Sequence, residues 1–252
     1  MIKSTPENPN TVLENAWKKF YKRDFDGAYA MFNELAENES GNIEVLLGRA
    51  CASFRIDDFD AALNDLNAII KASPKEFRAY HNRGLLRGAE EKYKEAVKDF
   101  EKTISLTQDN HEAWVDLGGA FLLLKDYEKA LMAFEKAIDI DKACPEGWYG
   151  KGLVALFKKE YKKAIEFLNA AIKLDPKHLN AVLARAEAYF DFNQREEALR
   201  DIKKAVGIKS DIFKLADQAE DDEDAADKEY YRGDEDDDHE GDLEIEDVRI
   251  DD

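Results

Sequence analysis

The side chains best suited to chemistry in this chain are two cysteines, Cys51 and Cys144, and four histidines. Two cysteines are too few for a disulfide framework or a cysteine-rich metal site. Cys51 and His81 fall on neighbouring units of the repeat described below, and a Cys–His pair can in principle generate a reactive thiolate. No third group that would orient the histidine and no oxyanion donor is evident. We therefore interpret the pair as polar residues lining a groove, and we predict neither an enzyme nor a cofactor.

An acidic segment near the C-terminus has to be considered as a calcium site. Asp236, Asp238, Glu240, Gly241 and Asp247 match positions 1, 3, 5, 6 and 12 of an EF-hand loop. Position 12 is Asp rather than the usual Glu, and the five residues that follow are too few for a second helix. Such spacing arises easily by chance in so acidic a segment, so no metal site is predicted.

The composition predicts a helical protein with a nearly neutral body and a strongly acidic end. Ala, Leu, Glu and Lys recur throughout and favour helices. Residues 215–252 contain 20 Asp and Glu against three Lys and Arg, whereas the rest contains 36 against 34. The body therefore offers no basic surface for nucleic acid. No apolar stretch approaches the ~20 residues that cross a bilayer, and residues 1–10 lack the apolar run of a secretion signal. We expect a cytoplasmic location, or a nuclear one in a eukaryote.

A period of 34 residues organises the chain into six units: 9–42, 43–76, 77–110, 111–144, 145–178 and 179–212. Position 20 of every unit is Ala, position 8 is Ala or Gly, and position 24 is Phe, Leu or Ile. No insertion or deletion interrupts the series. A fixed period of this length is typical of helical repeat proteins.

Each unit is predicted to form two antiparallel helices joined by a short turn. Small side chains at positions 8 and 20 let the helices approach closely, and large ones at positions 4 and 24 fill the space beside them. Polar residues at positions 15 and 16, such as Asp57 and Asp58, mark the turn. Pro74 and Pro176 at position 32 fall where the second helix must have ended.

This pattern resembles the tetratricopeptide repeat family over residues 9–212. The resemblance is carried by W-x-x-L-G-x-x-F from Trp114 to Phe121, followed by Ala130, Phe134 and Ala137. The first and last units depart from it, with Val12 and Val182 at position 4, as terminal units of a solenoid often do. The resemblance implies an all-α fold, a right-handed α-solenoid of six helix-turn-helix repeats, and a role in binding other proteins.

Positions 7 and 23 vary together. Units two, three and six have Arg at position 7 and Asp at position 23, whereas the other three units have neither. This covariation predicts that an ion pair braces the two helices in each of these units: Arg49 with Asp65, Arg83 with Asp99, and Arg185 with Asp201.

Stacked units curve and leave a concave groove lined by the first helix of each unit. The resemblance implies that positions 2, 5, 9, 12 and 13 face this groove. The predicted lining is Leu47, Cys51, Phe54, His81, Leu85, Val115, Leu122, Tyr149, Leu153, Phe157, Leu183 and Phe190. An exposed apolar groove indicates a partner protein or a segment of the same chain, although residues at position 12 could equally pack against neighbouring helices.

The resemblance also suggests one known ligand, the C-terminal carboxylate of a chaperone. Binding it requires Asn at position 6 of one unit, with cationic side chains in the units on either side. Asn82 occupies position 6, but Leu47 and Cys51 precede it, and Glu112 and Asp116 follow. Because those acids would repel a carboxylate, we reject this ligand.

The segments outside the repeats carry three further predictions. Residues 1–8 form an N-terminal extension, residues 211–219 a capping helix that covers the last unit, and residues 220–252 an acidic disordered tail. The tail ends with an aliphatic motif: Leu243, Ile245, Val248 and Ile250. Three alternatives stay open: the tail solubilises the protein, its motif docks in the groove of the same or a neighbouring molecule, or its charge attracts a basic partner.

These features favour a scaffold or adaptor that holds a segment of another protein in the apolar groove, and regulation by its own tail is one of the alternatives given above. The alternative is an acidic chaperone or escort for basic proteins of the histone or ribosomal type. Neither function involves nucleic acid or a membrane directly.

Overall fold

The computed structural model of the protein describes residues 8–38, 41–107 and 109–211. These residues form helices and turns, and no strand occurs among them. The helices are α1 (Pro9–Tyr21), α2 (Phe25–Asn38), α3 (Ile43–Arg55), α4 (Phe59–Ala72), α5 (Phe77–Ala89), α6 (Tyr93–Leu106), α7 (His111–Leu123), α8 (Tyr127–Ile140), α9 (Pro145–Phe157), α10 (Tyr161–Leu174), α11 (Leu179–Asp191) and α12 (195–211).

The helix boundaries follow the 34-residue register. Each odd-numbered helix begins at position 1 of a unit and each even-numbered helix at position 17. Consecutive helices pack together, and the odd-numbered helices also contact one another from α1 to α11. The even-numbered helices α2 to α10 make no such contacts with each other in the part of the chain that is described. The odd-numbered helices therefore form the inner, concave layer, and the prediction of an all-α solenoid is confirmed.

The turn inside each unit has the same backbone conformation throughout the solenoid. Position 15 adopts a left-handed conformation with φ between 58° and 68° in all six units: Arg23, Asp57, Glu91, Lys125, Lys159 and Asn193. A left-handed residue ends a helix because it turns the chain out of the helical path. At position 16 the side chains of Asp58 and Asp126 then accept a backbone N–H bond and cap the next helix.

Close packing between small and large residues fixes the spacing of the helices. Phe134, at position 24 of unit four, lies between Gly118 of its own unit and Gly150 of the next. A Cβ atom added to Gly118 would lie 2.6 Å from Cε1 of Phe134, and one added to Gly150 would overlap the same ring. By contrast, a Cβ atom added to Gly119 would meet nothing within 4 Å. The core therefore requires glycine at two of these three positions.

The C-terminal end of the described solenoid is an exposed helix face. Leu199, Ile202 and Val206 of α12 are exposed to solvent. The predicted capping helix over 211–219 lies outside the described residues except for residue 211, which is the last described residue and belongs to α12. The predicted N-terminal extension lies outside them except for residue 8, and the acidic tail with its aliphatic motif and EF-hand-like spacing lies wholly outside them.

Two further features of the described residues bear on function. None of their helices is both long enough and apolar enough to span a membrane. They also contain no cluster of at least three His, Cys, Asp and Glu side chains that could hold a metal ion.

Candidate functional site

A cavity of about 330 Å³ opens on the concave side of the solenoid, where α5, α7 and α9 meet. Five residues of the predicted groove line this central cavity: Leu85, Val115, Leu122, Tyr149 and Leu153. Gly88 and Gly119 form part of its wall, and a Cβ atom at either would meet nothing within 4 Å. The missing side chains therefore leave room above α5 and α7 that a ligand could fill.

A second cavity of about 210 Å³ lies beside the first, between α3 and α5. Cys51 and Phe54 of the predicted groove line this N-terminal cavity together with Leu85, which also lines the central cavity. The shared leucine makes the two cavities neighbours on one surface. Seven of the twelve predicted groove residues are thus brought together along the concave side.

The remaining predicted groove residues have different surroundings. Phe157, Leu183 and Phe190 are exposed but line neither cavity. Leu47 is only 3% exposed and belongs to the core formed by α3, α4 and α5. Leu47 must therefore be removed from the predicted lining, because its neighbours cover the position 5 side chain in this unit.

His81 and Cys51 lie on the concave side but do not form a nucleophile–base pair. His81 Nε2 lies 2.7 Å from Oδ2 of Asp116 on the next unit. Asn82 Nδ2 donates a long hydrogen bond of 3.7 Å to the Cys51 sulfur. Burial raises the pKa of the Cys51 thiol to about 11, so this thiol is protonated at neutral pH. The histidine and the thiol thus serve separate polar contacts between neighbouring units.

The charged residues around the central cavity are acidic. Asp116 and Glu146 are the two charged side chains in its lining, and all its other lining residues are apolar, glycine or tyrosine. Burial, and to a lesser extent the nearby charge of Glu187, raises the pKa of Tyr149. The cavity therefore combines an apolar floor with negative charge at its edges.

A paired arginine joins the concave surfaces of units two and three. Arg78 donates to both carboxylate oxygens of Glu44, at 3.0 and 2.6 Å, and also to Glu76 at 2.8 Å. These bonds raise the pKa of the arginine, and the bond from Arg78 lowers the pKa of Glu76. Because the Arg78 guanidinium group is already paired with the two carboxylates, it is not a free cation for a ligand.

The structure brings each predicted Arg–Asp pair together in a two-bond fork. The Nε and Nη2 atoms of the arginine donate to the two carboxylate oxygens at 2.8 and 2.7 Å in Arg49–Asp65, 2.9 and 2.7 Å in Arg83–Asp99, and 2.7 and 2.6 Å in Arg185–Asp201. All three aspartates are buried. Forks of this geometry fix orientation as well as charge, so they hold the two helices of a unit in register.

Each brace has a third member, an asparagine, which the sequence analysis did not predict. The Nη1 atom of the arginine donates to an asparagine on the preceding unit: Arg49 to Asn33, Arg83 to Asn67, and Arg185 to Asn169. Each asparagine stands at position 25, and it occurs only in the units that precede those with arginine. That covariation would have revealed the contact. The braces therefore join neighbouring units as well as the two helices of one unit.

The joint between units three and four lacks this brace. Leu117 and Ala133 take the places of the arginine and the aspartate, and Glu101 takes the place of the asparagine. All three line a cavity of about 270 Å³ beside Trp114 and Met132. At the following joint a simpler pair returns, with Lys151 donating to Glu135 at 2.9 Å. At the brace position the third joint thus has no arginine, aspartate or asparagine, and its polar contact between units is the one from His81 to Asp116.

Family models and known structures agree with this architecture. Residues 75–143 and residues 145–178 match tetratricopeptide repeat models. Among solved structures, MamA is 25% identical with a TM-score of 0.56, and the match covers 66% of this chain and 96% of MamA. A tetratricopeptide repeat protein from Parabacteroides merdae is 18% identical with a TM-score of 0.66, covering 79% of each chain. YrrB, described as a TPR protein with an unusual peptide-binding site, is 23% identical with a TM-score of 0.52, covering 75% of this chain and 97% of YrrB.

Among curated proteins, none matches this chain. The family-model matches cover most of units three to five, so the count of six tetratricopeptide repeats stays a prediction. The Parabacteroides merdae protein and YrrB, both less than 25% identical to this chain, show a shared fold and nothing more. The matched residues, the helix register and the shared solenoid fold together support the tetratricopeptide repeat family for this chain.

Proposed function

We propose that this protein is an interaction scaffold that holds a segment of a partner protein in the central cavity and the N-terminal cavity beside it. The observation that carries the proposal is the central cavity itself, a mostly apolar opening on the concave side that is lined by α5 to α9. Concave, mostly apolar sites with a few polar groups at the edge are the usual form of a binding site. A protein with this fold can hold a peptide, as the description of YrrB states for that protein.

The cavity can be filled from within to test the proposal. Gly119→Leu adds a side chain where the structure has open space, so it should occupy the central cavity without disturbing the core. Gly207→Leu on α12 is the matched control, since its position is also open and lies away from the cavity. Tyr149→Ala/Leu153→Ala removes two walls of the cavity instead.

Peptides selected from a displayed random library against the full-length protein supply the ligand for this test. We expect the selected peptides to lose affinity about tenfold or more for Gly119→Leu and for the double alanine variant, since burying one large apolar side chain contributes about 1.5–3 kcal/mol. Affinity for Gly207→Leu should be unchanged. Peptides that bind all four proteins equally well would rule out the central cavity as the binding site.

A second candidate, an escort for basic proteins, is supported by the acidic residues of the C-terminal tail. In that case the tail provides the affinity, and long-range charge accelerates the encounter. Replacing Asp and Glu at 234–238 with Asn and Gln in the full-length chain should then weaken binding of a basic protein such as lysozyme and reduce its salt dependence. Unchanged binding would dismiss the escort function and leave the scaffold.

Occupation of the groove by the chain's own aliphatic motif is a third, regulatory proposal. The motif consists of Leu243, Ile245, Val248 and Ile250, and it lies among acids. If it competes for the groove, Val248→Ser/Ile250→Ser should raise the affinity for the selected peptides. An unchanged affinity would remove this mode of regulation.

A further inference from the structure

We infer that the groove selects a basic amphipathic segment, in which apolar side chains enter the central cavity and Lys or Arg side chains meet the acids around it. This inference rests on the proposed scaffold function and names the chemistry of the partner. Three observations lead to it, concerning the cavity, the helices that extend the groove, and the arginines of the N-terminal half.

The first observation is the charge at the central cavity. Both charged residues in its lining, Asp116 and Glu146, are acids. Asp116 is engaged by His81, whereas Glu146 is exposed at the start of α9. An apolar segment without charge would leave Glu146 beside it without a counter-charge, and an acidic segment would be repelled. A cation placed next to the apolar anchor is the complement of this arrangement.

The second observation is that the acidic character continues along the groove. At positions 2, 5, 6, 9, 12 and 13, units four to six contain no Lys or Arg. They contain five acids: Glu112, Asp116, Glu146, Glu187 and Asp191. Exposed apolar side chains alternate with these acids. Phe190, which is 62% exposed, directly precedes Asp191 at the end of α11. This half of the groove thus repeats the combination found at the central cavity.

The third observation is that the N-terminal half of the groove does not compensate this charge. Its arginines at the same positions are Arg55 and Arg78. Arg78 is neutralised by Glu44 and Glu76, and Arg55 lies over the ring of Phe25 at 4.5 Å. A bound segment therefore meets a nearly neutral surface at one end and a negative surface at the other. This difference would fix the direction in which a segment with basic residues at one end binds.

The same charges oppose the alternative occupant from within the chain. The C-terminal 38 residues, 215–252, contain 20 acids and three bases, so the tail and the acidic half of the groove repel each other. Both can instead attract the same basic partner, and an experiment has to separate their contributions. Substitutions that neutralise groove acids in the full-length protein separate the two contributions, because they leave the tail intact.

Three synthetic peptides with identical Leu and Phe positions, and with Lys, Ser or Glu at all remaining positions, provide the probe. The groove variant is Glu146→Gln/Glu187→Gln/Asp191→Asn. Its control, Glu95→Gln/Glu128→Gln/Glu166→Gln, removes the same charge from the second helices α6, α8 and α10. Fluorescence anisotropy at several salt concentrations gives the affinities, and circular dichroism confirms the fold of each variant.

We expect the Lys peptide to bind the wild type about tenfold more tightly than the Ser peptide, because several exposed charge contacts each add a small gain in affinity. The groove variant should lose most of this advantage and show a weaker salt dependence, whereas the control variant should keep it. An equal loss in both variants would overturn the inference, because overall charge or the tail would then explain the attraction.

The variant Gly119→Leu tests the proposed scaffold function separately from the preference for basic segments. If the Ser and Lys peptides bind the wild type equally and both lose affinity for Gly119→Leu, the scaffold function stands and the preference for basic segments is wrong. If no peptide responds to Gly119→Leu, both the site and its chemistry are wrong.

Discussion

The brace in unit three offers a direct test of how this solenoid is stabilised. Asp99 is only 3% exposed and accepts three hydrogen bonds: two from Arg83, at 2.9 and 2.7 Å, and one from Arg87 at 2.7 Å. Asp99→Ala removes all three acceptor contacts at once. The hydrogen bonds left to these two mostly covered guanidinium groups would be one to the Asn67 side chain and a long one to the backbone of Glu95.

The magnitude follows from the burial of the charges that lose their partner. Removing one member of a buried ion pair costs about 3–5 kcal/mol. Both arginines keep some contact with water, so we expect the lower end, about 3 kcal/mol. The double variant Arg83→Leu/Asp99→Ala copies the pair that unit four has at Leu117 and Ala133. Because it removes both members of the fork, its cost should be smaller, about 1–2 kcal/mol, and part of that cost comes from Arg87, which still loses its partner.

Urea unfolding followed by circular dichroism and by tryptophan fluorescence would measure these costs. Coincident transitions are needed, because stacked repeats can unfold in parts. Asp139→Ala is the surface control, since Asp139 and Lys142 pair in solvent, and it should leave the midpoint unchanged. A cost below about 1 kcal/mol for Asp99→Ala, or a double variant as unstable as the sum of its single changes, would refute the reasoning.

Four other substitutions test the packing, the backbone and the electrostatics. Gly118→Ala should lower the free energy of unfolding by about 1–3 kcal/mol, because the added methyl group overpacks the core. Gly119→Ala on the same helix should instead raise the free energy of unfolding by up to about 1 kcal/mol. Equal effects of the two substitutions in thermal unfolding would contradict the packing argument. Lys125→Gly should raise stability by about 1 kcal/mol because it relieves a left-handed backbone, and a lower melting temperature would exclude this. Hydrogen bonding from Arg78 lowers the pKa of Glu76, so its stabilisation is present above the unfolded-state pKa and lost as the pH falls through the folded-state pKa. Glu76→Gln should therefore cost about 1 kcal/mol at neutral pH, and its urea midpoint should converge with that of the wild type in acid.

The repeat register predicted the fold because each helix boundary depends on residues within its own unit. Position 15 turns the chain and position 20 lets the helices approach, so neither requires knowledge of distant contacts. Arg83 and Asp99 could also be paired from the sequence, since both occur in the same units and are absent together elsewhere. Asn67 could have been found by comparing each unit with the one before it.

The surface of the groove was harder to predict than its location. Leu47 and His81 occupy the same position in successive units, yet Leu47 is covered by the core and His81 reaches Asp116. The difference depends on which side chains the neighbouring units present, and a single unit's pattern does not contain that information. The same limit applies to the central cavity, where Gly88 and Gly119 on neighbouring helices leave space that the pattern of a single unit does not reveal.

Because the brace is absent between units three and four, we expect the solenoid to be less stiff at this joint than at its other joints. A stack of units responds to tension as springs in series, so its most compliant joint extends first. On the outer side that joint has Leu117 and mostly apolar neighbours in place of a brace, while on the inner side His81 holds Asp116. We therefore expect a pull on the two ends to open this joint outward about the His81–Asp116 contact. Such bending would change the curvature of the wall beneath the central cavity, and a bound segment that spans the joint would resist the pull.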